Sequence, residues 1–100
     1  MAMKVITIKS NEVLDEHMRT EIHFAFGMEH YTDYVFKPKG EKKYSATLVM
    51  KDSSELIRNV EEGSKTFPDY EFVVVVLDTD SNEVKKHFIR DGALLKVTNS

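Results

Sequence analysis

The residues best suited to chemistry in this sequence are a histidine and a glutamate four apart, His17 and Glu21. On a helix that spacing lets the two side chains meet. An imidazole beside a carboxylate can work as an oriented general base or supply two ligands to a metal ion. His30, preceded by Glu29, comes a little further along as a candidate third ligand. The pattern is not H-E-x-x-H, because no glutamate directly follows the first histidine. His23 projects from another face of the same segment. The plainer reading of His17 and Glu21 is an inert hydrogen-bonded pair lining a dimer seam or a shallow edge.

A second cluster is basic. Lys37, Lys39, Lys42 and Lys43 fall on one predicted hairpin, interleaved with Tyr34, Phe36 and Tyr44. Lysines for phosphate and aromatic rings for bases are what single-stranded nucleic acid requires. An RNA-recognition fold of βαββαβ order also carries a basic hairpin there. Its signature run is missing, however, because KKYSATLV lacks the glycine and the aromatics. Lysines also protect an exposed hairpin from pairing with other chains. The formal net charge of -3 makes nucleic acid the secondary reading.

Asp78, Asp80, Asn82 and Glu83 follow the most apolar run of the chain. As a calcium loop they fail, since the sixth position is Glu83 where glycine is needed and the twelfth is Ile89. A hydrophobic strand ending in Asp-x-Asp resembles the phosphotransferase motif of haloacid-dehalogenase-like enzymes, which implies Asp78 as nucleophile and Asp80 as acid/base. That resemblance covers five residues and has Asn82 where the family has Thr or Val. The chain is also shorter than the multi-stranded α/β domain such enzymes need. A polar turn is the default. Four glycines form no phosphate loop, no G-x-S-x-G elbow is present, and cysteine is absent. We therefore expect no catalytic residues, no metal and no cofactor.

The elements that must position these residues follow from periodicity. Tyr70 to Leu77, YEFVVVVL, is apolar in both side-chain phases, which predicts a central strand covered on both sides. Met3–Ile8 reads as a strand. Asn11–Phe26 reads as a helix capped by Ser10 or Asn11, its apolar positions spanning more than half the circumference and Gly27 ending it. Tyr31–Lys37 and Lys42–Met50 form strands joined by a Pro38-Lys39-Gly40 turn. Asp52 and Glu55 suggest a capping box for a second helix to about Glu62, closed by Gly63 and Pro68. Residues 83–90 suit a helix or a strand. The Asp91-Gly92 pair favours a strand and a hairpin into Ala93–Val97.

The expected fold is α+β, one domain over residues 1–100: a two-layer ferredoxin-like (βαββαβ) sheet with two helices and a C-terminal β-hairpin. A hydrophobic fraction of 41% against 31% charged residues supports folding rather than disorder. The fold itself carries little functional weight. The surplus of apolar surface points to a non-enzymatic protein-interaction or regulatory accessory protein acting as a homodimer, of a kind common among bacterial and phage accessory factors. A heterologous protein partner is the variant of this reading. Phe24, Phe26, Val73, Val75 and Leu77 are the expected interface anchors. The alternatives are a single-stranded nucleic-acid module using the 37–43 hairpin and a metal-dependent binder or enzyme using His17 and Glu21. MAMKVITIKS has no long apolar core and no stretch could span a bilayer, so a cytoplasmic protein without a membrane partner is expected.

Overall fold

The computed structural model describes residues 3–30 and 42–99. Its strands are β1 (Lys4–Val13), β2 (Lys43–Met50), β3 (Glu71–Asp78), β4 (Val84–Arg90) and β5 (Ala93–Asn99). Its helices are α1 (Glu16–Ala25) and α2 (Ser54–Ser64), with a short 3₁₀ turn at Met28–His30. The strands make one five-stranded antiparallel sheet in the order β2-β1-β3-β4-β5, so the architecture is α+β.

Alternation along the strands decides where the core lies. Ile6 and Ile8 of β1 stand opposite Leu48 and Ala46 on one side, and opposite Val76 and Val74 on the other. These side chains are buried together with Phe72, Ile89 and Tyr44. Ile22 and Phe26 from α1, Leu56 and Val60 from α2, and the flanking Leu14, Met28 and Phe67 cover them. Phe26 is the keystone, with its ring edge-on to Phe72 at 4.9 Å and to Tyr44 at 5.9 Å between centroids. Each such fully buried side chain contributes about 1.5–3 kcal/mol.

β3 is the middle strand, as its valines suggest. Among the described residues no element lies over Val73, Val75 and Leu77 on its second face. Val73 is 9% exposed, while Val75 and Leu77 are half-buried.

Helix 1 is shorter than the periodicity suggests. Residues 10–13 continue β1, and the cap is Asp15, whose side chain accepts from the Met18 amide at 2.8 Å. Ser10 is unavailable as a cap. Its buried hydroxyl accepts from the Tyr44 amide at 2.9 Å and donates to the Glu12 carbonyl at 3.0 Å. Val13 and Leu14 lie outside the helix, Phe24 at one flank of the apolar arc is 59% exposed, and Ile22 is the buried residue within α1. Gly27 ends this region at φ 70°, as expected.

At α2, Asp52 accepts from the Ser54 amide at 3.0 Å and from its hydroxyl at 2.8 Å, a turn before the helix rather than a capping box. Both bonds hold the Asp52 carboxyl below its ordinary range. Gly63 does not follow the helix but sits in its last turn, buried against Phe26. The strand reading of 83–90 holds. Asp91 and Gly92, at φ 48° and 78°, form the tight turn into β5. The expected strand at Tyr31–Lys37 and the turn at Pro38-Lys39-Gly40 lie outside the described residues.

Candidate functional site

His17 and Glu21 do meet, with 3.1 Å between Nε2 and Oε1, but on the solvent side of α1. Their side chains are 83% and 53% exposed, so the pair does not sit within the apolar arc and is screened by water. The His30 side chain lies outside the described part of the molecule. Among the described residues no three His, Cys, Asp or Glu side chains could jointly hold a metal. His23 joins a different partner, its Nδ1 lying 3.2 Å from the Tyr44 hydroxyl. Burial pushes that phenol above its usual range.

Of the aromatics assigned to the lysine hairpin, Tyr34 and Phe36 lie outside the described residues. Lys37 and Lys39 lie outside the described residues, and Lys42 and Lys43 are exposed. Tyr44 points into the core with 1% exposure, so its ring is not available to a base. Strand alternation explains this, since Tyr44 shares the phase of Ala46 and Leu48. The Asp78 carboxylate accepts from the amides of Asp80 at 2.9 Å and Ser81 at 3.4 Å. With Asn82 at φ 60°, this is a self-capped polar turn. Of the expected interface anchors, Phe24 is 59% exposed and Phe26 fully buried. Val73, Val75 and Leu77 share the open face.

That open face has a composition the strands do not reveal singly. Ser45, Lys9, Val73, Phe88 and Lys96 run across the five strands in register, followed by Thr47, Thr7, Val75, Lys86 and Thr98. The Lys96 ammonium stands over the Phe88 ring, 4.7 Å from its centre. Thr7 and Thr47 share a hydrogen bond of 3.3 Å. Between Lys9 and Val13 the pairing with β2 slips, and a groove of about 460 Å³ opens beside Lys9, Val73, Lys86 and Phe88.

The outer edge of β5, which pairs with no strand among the described residues, is the other anomaly. Leu94, Leu95 and Val97 are 46%, 54% and 45% exposed. Leu94 stands opposite the buried Ile89, and Val97 opposite His87, so both extend the helix-side layer. α2 rests on β3 and β4 and stops short of them. His87, at this border, has a buried Nδ1 with no hydrogen-bond partner. Desolvation first, then the nearby Lys85 charge, lower its pKa, with Glu61 acting the other way. Sequence reasoning missed Lys9, Lys86, Phe88 and Lys96 because they converge only through cross-strand register. The apolar content of β5 was visible, but its edge position was not.

Comparison with known proteins finds no match: no family model fits the chain, and no curated protein and no solved structure is similar to it. No helix among the described residues is long and apolar enough to cross a membrane.

Proposed function

We propose that this protein is a non-enzymatic interaction module that works as a homodimer, a second copy pairing antiparallel along β5. The observation that carries this reading is the apolar, uncovered edge formed by Leu94, Leu95 and Val97. Edge strands are normally defended by charge, proline or a covering element. β5 has no proline, and its one charged residue, Lys96, leans over Phe88 on the open face. The favoured occupant is a second copy because a strand edge is self-complementary under a two-fold axis. β5 also carries no acidic residue that would call for a basic partner. Pairing would bring Leu94 and Val97 of both copies together and widen the layer beneath the helices.

The same reading takes the fold as ferredoxin-like. β1 lies between β2 and β3 and is antiparallel to both, the inner order of a βαββαβ sheet. The further strand which that arrangement requires was expected at Tyr31–Lys37, outside the described residues. A cytoplasmic location belongs to the proposal on the strength of the cysteine-free composition.

Sedimentation velocity tests the dimer. The parent should sediment as a dimer at micromolar concentration. Leu95→Lys combined with Val97→Lys should be monomeric with an unchanged circular dichroism spectrum. A monomeric parent, or a dimer that survives both lysines, would overturn the reading.

A further inference from the structure

We propose that the open face of the sheet binds single-stranded nucleic acid, with Lys9, Lys86 and Lys96 holding phosphates and Phe88 offering its ring to a base. This site differs from the β5 edge and rests on Lys9, Lys86, Lys96 and Phe88, while Lys43 also lines its groove.

The argument begins with charge. The chain carries a formal net charge of -3, but that charge is unevenly placed. The helices hold Glu16, Glu21, Glu55, Glu61 and Glu62 against Arg19 and Arg58. The open face holds Lys9, Lys43, Lys86 and Lys96 beside an apolar row of Val49, Val5, Leu77 and Val84, while Glu71 and Arg90 stand opposite each other and offset. An acidic protein thus presents a basic sheet. Net charge governs long-range behaviour, whereas a local cluster governs what docks on it.

Geometry adds a platform. Lys9, Val73, Phe88 and Lys96 occupy successive strands of one row, about 4.8 Å apart from strand to strand. Phe88 therefore has Lys96 on the adjacent strand and Lys9 two strands away across Val73. Lys86 is two residues along β4 on the same face, about 7 Å away. The groove beside this row has a volume of about 460 Å³, within the range of small-ligand sites. Its wall carries Phe88 and its floor Val73, with Ser45 and Asn11 as polar neighbours. A ring with flanking cations is the arrangement that binds single strands without reading sequence, because every base has a face to stack and every nucleotide a phosphate. Lys96 is exposed and Phe88 half-buried, so their contact can yield to a stacked base while the ammonium stays near the phosphate.

The same features disfavour other occupants. A second copy laid face to face would set lysines against lysines. An acidic peptide would satisfy the charges but gain nothing specific from the ring.

Fluorescence anisotropy with a labelled oligothymidylate, and separately an oligouridylate, tests the proposal. Binding at low salt should weaken with a slope of log affinity against log salt of about -2, from three phosphates at roughly 0.7 each. Lys9→Glu, Lys86→Glu and Lys96→Glu together should abolish it, while Lys65→Glu on α2's side should not. Phe88→Ala should cost about ten-fold with the salt slope unchanged. Phe88→Trp should retain binding, with its fluorescence quenched by the oligonucleotide, which separates loss of a ring from loss of fold. The Leu95→Lys, Val97→Lys protein should still bind, so failure of the dimer reading and failure of this one are distinguishable. No binding at low salt, or binding indifferent to the triple substitution, overturns the proposal. So does equal competition by polyglutamate together with no effect of Phe88→Ala, which would mark an acidic-peptide site instead.

Discussion

Replacing Gly63 with alanine should destabilise the protein, although the same change in most helices does the opposite. In a helix interior alanine is favoured over glycine by about 0.8–1.0 kcal/mol. Here the added methyl would run into Phe26 Cδ1 and lie 2.8 Å from Phe26 Cε1 and 2.8 Å from the Ala25 carbonyl oxygen. Comfortable carbon contacts begin near about 3.5 Å, so something must move by about 1 Å. Phe26 has nowhere to go, being fully buried and wedged edge-on against Phe72 and Tyr44. The Ala25 carbonyl is backbone, fixed by the helix and by the turn at Gly27. The remaining response is for α1 and α2 to part, which loosens the layer that covers the sheet. Overpacking of this kind costs about 1–3 kcal/mol and occasionally more. After the helix-propensity gain, a net loss of up to about 2 kcal/mol remains, a fall in Tm of up to about 15 °C for a domain of this size. Urea unfolding followed by circular dichroism, paired with a thermal melt, measures both. A double-mutant cycle with Phe26→Leu should recover part of the loss, since the smaller side chain removes the ring atoms that clash. A Gly63→Ala protein as stable as its parent, or more so, would refute the claim that the close approach of the helices requires glycine.

Two further outcomes follow from buried polar groups. The lowered pKa of His87 means that the unfolded chain binds its proton more readily, so this residue's contribution to stability is complete above about pH 6.5 and declines as pH falls from there through the folded-state value. His87→Leu should flatten that part of the stability profile relative to the parent, and should raise stability near neutral pH by about 1 kcal/mol through loss of the unpartnered Nδ1. An identical pH dependence in the two proteins would contradict the assignment. Ser10→Ala should cost about 1–3 kcal/mol by leaving the Tyr44 amide buried without its acceptor, and hydrogen exchange at that amide should accelerate.

Much of the fold was legible because local patterns and tertiary contacts agree. The valine run marks the middle strand, Tyr44 and its alternate neighbours mark a buried face, and Asp91-Gly92 marks the last hairpin. The errors arise where one residue type serves two structures. Ser10 and Asn11 are good caps, but residues 10–13 continue β1, with Ser10 opposite Phe72 of β3 and Val13 opposite Lys43 of β2, so the helix begins at Glu16. Val13 and Leu14 were then counted in a helix they do not join, and Phe24, which widened the stripe, is 59% exposed. Gly63 looked like a terminator because a single sequence shows that a glycine is wanted without showing whether for a turn or for space. The candidate site was less legible still. His17 and Glu21 were correctly spaced but face water, and Tyr44 was placed with the lysines when its phase belongs to the core. Lys9, Lys86, Phe88 and Lys96 are far apart in sequence and meet only through register, which no single strand encodes.

The β5 edge and the open face can serve one molecule without competing. Antiparallel pairing of β5 with its own copy requires a two-fold axis perpendicular to the sheet, because the strands must run in opposite directions while their pleats match. Such an axis keeps both helix layers on one side and both basic faces on the other. Lys96 and Phe88, on the last two strands, would then lie nearest the axis, and Lys9 furthest from it. The two rows would join into one, with cations spread across both copies and an aromatic ring in each half. Face-to-face association would instead bury these lysines against each other, at a desolvation cost that three exposed aliphatic side chains elsewhere would do nothing to offset. The placement of charge on the sheet and of apolar surface on its edge therefore favours lateral growth of the sheet, leaving the basic surface open to a ligand.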